Sequence, residues 1–428
     1  MRKAEPVRPL SRGGVIRGLL GCVALFLLAY LGGRPRIWEL ERRLGISSVI
    51  TAGLPLFLLG AVAHHPAVGV FSDAVLENIR PVLPFCLGWV AFSAGLRLDS
   101  RELDRAYPGS LAAATYGALV PFFSVAACCG LILWLHEPPL GLTAVVRDAM
   151  MLGTAGAVTA LSATVFFDRW VGDPDRRERM QRIVVLEVLM GLGLLTAVVV
   201  MFRPAASETG WRLPETGWLF IVLGMGAFMG GLAALLLRLV KPGAETTLAL
   251  LGTVLFASGM ASYLRLSPMV VGAMAGALLI NLSGSRREEV RTALLSMERP
   301  IYLVFLIIAG AYWRPGEWEG WALAAVFIPA RLAAKWLAVR LLRRHRADFT
   351  AAEELGLYAA PMGAFSIALV VGAQDLALGP SVSWMVTAVV GSAIVIEAIV
   401  QILLRRGQVR AGAAAEVALL EAASRGMP

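Results

Sequence analysis

Apolar stretches long enough to cross a bilayer recur along almost the whole of this 428-residue chain, and that recurrence fixes the fold class before any motif is considered. A helix of about 17–25 apolar residues covers the ~30 Å of a hydrocarbon core. Such stretches fall at 18–33, 46–63, 79–96, 109–135, 146–167, 183–202, 217–237, 246–264, 268–282, 300–313, 321–342, 354–373 and 383–404. With 58% of residues apolar and only 16% charged, a water-soluble domain is excluded. The expectation is an all-α membrane protein of about 13 transmembrane helices, with a leader over 1–17, a membrane domain over 18–404 and a short tail over 405–428.

The net charge of +9 reports on topology, not on nucleic acid, because Lys and Arg gather in short connections. Alternate connections beginning with 34–45 and ending with the tail hold 26 basic residues, and the opposite internal loops hold 6. The positive-inside bias then puts the C-terminus in the cytoplasm and, by parity, the N-terminus outside, in the cell's inner membrane. Arg2, Lys3, Arg8 and Arg12 before the first span pull the other way and resemble a secretory leader, so a non-spanning or differently oriented first helix is the alternative. The partner this predicts is the lipid bilayer. No cofactor is expected, since Cys22, Cys86, Cys128 and Cys129 lie in apolar spans without metal spacing. An enzyme is not expected either: the four histidines lie at or near span ends, and His64-His65 lacks a third ligand. Tryptophans near span ends, among them Trp313, Trp318, Trp321 and Trp384, read as an interfacial belt. The segment Ser285 to Arg299 reads as a short amphipathic helix along the cytoplasmic surface.

Two patterns recur about 215 residues apart. Phe92-Ser93-Ala94-Gly95 closes the third span as Ile307-Ile308-Ala309-Gly310 closes the tenth. A Gly- and Thr-rich fifth span, Gly153-Thr154-Ala155-Gly156 then Ser162-Ala163-Thr164, corresponds to Pro361-Met362-Gly363-Ala364-Phe365-Ser366 in the twelfth. Helix breakers in corresponding spans running in opposite directions point to an inverted-repeat transporter, with two broken helices facing each other at the midplane. Four charges sit inside spans: Glu187, Arg331, Lys335 and Glu397. Each costs a few kcal/mol in lipid, roughly 2.5–3.5 for a basic or Asp side chain at a helix centre, and so needs a partner or a wet cavity. Counting ~1.5 Å per residue from the cytoplasmic ends puts Glu187, Lys335 and Glu397 at similar depth and Arg331 deeper.

Several segments together resemble the monovalent cation:proton antiporter superfamily, the sodium/proton exchanger type of membrane domain. They are Gly88 to Asp99 followed by Arg101-Glu102-Leu103; Ala160 to Val165; Leu266-Ser267-Pro268 leading into Gly272 to Gly276; Arg331 with Lys335; and Gly363-Ala364-Phe365-Ser366. The resemblance implies a homodimer, each protomer with a dimerisation domain and a core domain that moves past it, and acidic residues in the sixth span that bind cation and proton in turn. It pairs Glu187 with Arg331 as a core salt bridge. It also exposes a departure, because Gly191-Leu192 stands where the family keeps an Asn-Asp, Gln-Asp or Asp-Asp pair, and Ala364 replaces the Glu of Gly-Glu-Phe. A hard cation in a low-dielectric core needs oxygen ligands that also offset its charge, and Leu192 offers neither. Ser162, Thr164 and Ser366, with carbonyls around Pro361 and Gly363, remain as uncharged ligands.

Two functions follow. The first is a secondary transporter moving a monovalent cation or small solute, with atypical or absent proton coupling. The second is a transport-silent sensor or regulatory subunit, possible as a heteromer with a related chain that keeps its acids.

Overall fold

The computed structural model describes residues 50–65, 71, 73–103, 109–136, 141–160, 173–202, 214–345, 349–350, 353–354, 357, 361–372, 381–396 and 398–399; its regular elements there are helices. They are α1 (Ile50–His64), α2 (Asp73–Ile79), α3 (Val82–Leu96), α4 (Ser110–His136), α5 (Leu142–Ala157), α6 (Pro174–Met201), α7 (Glu215–Leu239), α8 (Ala244–Tyr263), α9 (Pro268–Leu282), α10 (Arg287–Ala311), α11 (Trp318–His345) and α12 (Ala364–Gly372). An apolar α13 spans Ser381–Ile396. Short turns at Ser100–Leu103 and Gly284–Arg286 join two pairs of these. Each expected span from 46 onward meets a helix; the first span, the leader and the tail lie outside the described residues. By length and apolarity α4, α6, α7, α8, α10 and α11 can each cross a membrane.

Local chemistry sets several boundaries. Asp173 caps α6 by accepting the Asp175 N–H at 3.1 Å, with Pro174 as the first helical residue, so the helix starts nine residues before its apolar part. Pro268 opens α9 in the same way. One expectation is corrected here. The segment 285–299 is not a separate surface helix, because α10 runs unbroken from Arg287 through Pro300 to Ala311. Its polar turns are anchored inward: Arg287 and Arg291 reach the buried Asp99 at 2.9 and 3.5 Å, and Glu298 meets Arg97 at 3.2 Å.

Two glycine seams bring helix backbones into direct contact. In the first, between α3 and α9, a Cβ on Gly95 would overlap the Ala273 carbonyl oxygen and one on Gly276 would overlap that of Phe92. In the second, between α1 and α10, a Cβ on Gly310 would overlap the Phe57 oxygen and one on Gly60 that of Ile307. Lipid tails give helices no hydrophobic reason to associate, so close van der Waals approach over small residues takes that role. Gly276→Val should therefore push α3 and α9 apart and cost about 1–3 kcal/mol, the range for overpacked cores, read as a lower unfolding temperature in detergent. Gly252→Val is the control, since a Cβ at Gly252 meets nothing within 4 Å.

The tryptophan belt holds only in part. Trp318 and Trp321 are exposed, but Trp313 and Trp384 are buried, and the Trp313 indole N–H donates to Thr387 Oγ1 at 3.1 Å. Helix α7 packs against α9, α8 packs against α3 and α9, and a second group forms from α4 against α5, α6 and α11, with α12 against α5. The candidate site lies in this group.

Candidate functional site

Helix α5 stops inside the protein. Val158 leaves the helical region at φ −83° and ψ 136°, and residues 158–160 continue without helical bonding. A second non-helical stretch, 361–363, precedes α12. The two stretches touch: the Ala160 N–H donates to the Pro361 carbonyl at 2.9 Å, and a Cβ on Gly363 would come within 2.9 Å of the Ala160 Cβ. Backbone groups freed in a membrane interior have no water to turn to, so each of these two non-helical stretches, or interruptions, satisfies part of the other. Glycine at 363 permits that approach.

The C-terminal carbonyls of α5 need partners as well, and they carry the negative end of the helix dipole. Arg331, fully buried on α11, supplies both remedies: Nε donates to Gly156 O at 3.1 Å and Nη2 to Val158 O at 3.3 Å. One turn further along the same face, Lys335 is 1% exposed. Its Nζ donates to both oxygens of Glu187 at 2.9 Å and to Thr159 Oγ1 at 3.1 Å. Glu187 on α6 is 2% exposed. Gly117 of α4 makes room for it, since a Cβ there would overlap Glu187 Oε1.

These distances give Glu187 a second basic neighbour besides the one the family resemblance implied. The hydrogen-bonded ion pair of Glu187 is made with Lys335, while Arg331 braces the end of α5. The depth count from the helix ends agrees with this, putting Lys335 at a depth similar to that of Glu187 and Glu397.

Gly191 faces the first interruption, where a Cβ would overlap the Val158 side chain, and Leu192 beside it is half-buried. Pro361, Gly363 and Ser366 are buried at the second. The Ser366 N–H donates to Gly363 O at 3.0 Å, and its hydroxyl oxygen finds no hydrogen-bond partner among the described residues. Ser162, Thr164 and Glu397 lie outside the described residues. Among the described residues no group of three or more His, Cys, Asp or Glu could hold a metal.

Sequence reasoning missed two contributors. Thr159, within the interruption itself, is the hydroxyl that meets Lys335. Glu353, fully buried ahead of the second interruption, accepts from Arg176 at 2.9 Å and from the Thr350 N–H and hydroxyl at 2.7 and 2.8 Å. Its neighbour Glu354 pairs with Arg343. The spacing Thr350-x-x-Glu353 is that of a capping box and was a readable signal.

The sequence matches the pattern of the family described as "Sodium/hydrogen exchanger, transmembrane" over residues 37–406. The chain belongs to the sodium/hydrogen exchanger family. Members of this family are transporters and not enzymes. Two solved structures of the sodium proton antiporter MjNhaP1 from Methanocaldococcus jannaschii share the fold. The one at pH 8 is 14% identical with a TM-score of 0.66, covering 90% of this chain and 98% of that one. The second, from an electron-microscopy map, is 16% identical with a TM-score of 0.60, covering 90% and 95%. At such identity the likeness concerns the fold alone. No curated protein matches the sequence.

Proposed function

We propose that this chain is a secondary transporter of the cation:proton antiporter type, working by alternating access, in which proton coupling is atypical or absent. The observation that carries the reading is the ammonium of Lys335, set among three oxygens of Glu187 and Thr159 next to the two helix interruptions. That cradle resembles what an alkali cation asks of a protein: oxygen ligands and an offsetting negative charge. Here the chain's own cation fills it. An arriving ion must displace Lys335 or use neighbouring neutral oxygens, because Leu192 and Ala364 supply no acid. In this reading Gly191, Leu192, Pro361, Gly363 and Ser366 border the path, and Ser162 and Thr164, which follow Ala160 in the sequence, are its further candidate ligands.

The inverted-repeat arrangement is supported by the two glycine seams. Gly95 and Phe92 correspond to Gly310 and Ile307 at an offset of 215, and Gly276 and Ala273 to Gly60 and Phe57 at an offset of 216. Each seam thus joins one element of one half to one of the other. The division into a dimerisation and a core domain, the homodimer, the inner-membrane location and the cytoplasmic C-terminus belong to the same proposal. A transport-silent sensor or regulatory subunit is the second reading, favoured by the complete engagement of Glu187 by Lys335.

The test is exchange in proteoliposomes holding this chain alone. The expected result is no strong pH-driven sodium or potassium exchange of the usual kind. Robust exchange that persists in Glu187→Gln and in Glu397→Gln would refute the proposed chemistry.

A further inference from the structure

A groove of 490 Å³ with almost wholly apolar walls runs between α7 and α8. Leu232 and Leu236 line one wall, and Leu248, Gly252 and Phe256 the other. Leu248 and Phe256 are 67% and 53% exposed, so this chain's described residues leave the groove unfilled. From Glu245 to Phe256 it follows eleven residues of α8, about 16 Å at ~1.5 Å per residue. One leaflet of hydrocarbon is about 15 Å deep, half of the ~30 Å core. The groove therefore has the length of one acyl chain lying parallel to α8.

Only one end carries a charge; the Thr253 hydroxyl near the other is spent on the Ala249 carbonyl. Glu245 lines the groove there and accepts the Lys241 N–H at 2.8 Å, and Lys241 is exposed in the turn between the two helices. A carboxylate lining the mouth of an apolar channel, with an exposed lysine whose backbone sits against that carboxylate, complements a headgroup that carries both signs. We propose that this groove binds a zwitterionic phospholipid with a primary ammonium headgroup, of the phosphatidylethanolamine class. Its phosphate meets Lys241, its ammonium meets Glu245, and one acyl chain lies along Leu248 and Phe256. A net-anionic headgroup would set its charge against Glu245, and a choline headgroup has no N–H to donate.

The experiment is native mass spectrometry of the full, delipidated chain with phosphatidylethanolamine, phosphatidylglycerol and phosphatidylcholine of identical acyl chains at equal concentration. Phosphatidylethanolamine should be retained about tenfold over the other two, the scale of one charge-assisted hydrogen bond. Glu245→Gln keeps an acceptor for the Lys241 N–H and should erase that preference. Gly252→Leu places its side chain in open space and should abolish retention without lowering the unfolding temperature. Equal retention of phosphatidylglycerol or phosphatidylcholine overturns the proposal, as does retention that ignores Gly252→Leu. So does a Gly252→Leu variant that changes only the oligomeric state, which would make the groove a contact between copies.

Discussion

Lys335→Ala is expected to lower stability by about 3–5 kcal/mol, because removing one member of a buried ion pair strands the other charge. Glu187 would keep the Thr159 region and the field of Arg331 but lose the ammonium that holds both its oxygens at 2.9 Å. Thermal unfolding in detergent reads the loss. The decisive comparison is rescue: adding Glu187→Leu to Lys335→Met removes both charges and should restore most of the stability, since apolar replacements of whole buried pairs are often neutral or better. Arg331→Ala should also destabilise, through the α5 carbonyls it leaves unpaired, at ~1–3 kcal/mol for each buried group left without its partner. Glu187→Leu should not rescue that variant. Equal rescue of the Lys335 and Arg331 variants would sink the division of labour between them, and a double-mutant cycle gives the coupling directly.

Leu192→Asp is expected to create pH-driven cation exchange where the unmodified chain has little. Position 192 follows Gly191, which faces Val158 at the first interruption, so a carboxylate there adds oxygens and a second negative charge near the cradle. The new acid can hold a cation while Lys335 remains with Glu187, and it can take a proton when the cation leaves. An increase of about tenfold over the unmodified chain requires only ~1.4 kcal/mol from that charge. Quenching of a pH-sensitive dye in proteoliposomes, with sodium or potassium added outside, measures it. Leu192→Asn, similar in size and uncharged, should stay inert. If the Asp variant folds, inserts and still exchanges no faster than the Asn variant, the meeting point of the two interruptions is not where cations pass.

The spans were legible because apolar length is a one-dimensional property, and α9 was bounded to the residue by its opening Pro268 and the polar turn after Leu282. Which face of a span is buried was not legible, because helices apolar all round carry no amphipathic stripe. Trp313 illustrates this: tryptophan at a span end fits an interface belt, and only its bond to Thr387 of α13 reveals burial. The polar turns of α10 were misassigned because their charges looked solvated, whereas Asp99, almost two hundred residues away in sequence, takes two of them. At the site, helical rise put Glu187, Lys335 and Glu397 at similar depth and could not choose among partners; only the packing of α11 and α6 against α4 brings Lys335 to Glu187. Thr159 went unnoticed because the interruption begins at Val158, earlier than the hydroxyls at 162 and 164 suggested.

The Glu187–Lys335 bridge joins positions 148 residues apart, and the chain is made from the N-terminus. At about 5–20 residues per second, the ribosome reaches Lys335 roughly 7–30 s after Glu187. The helix with the carboxylate therefore reaches the translocon well ahead of its counter-ion and must wait, incomplete, for a segment still being translated. Biogenesis of this protein thus has an order, in which arrival of α11 neutralises a buried acid that the earlier helices cannot. Truncation before that helix should leave a nascent product that membrane quality control recognises by its one orphaned acid.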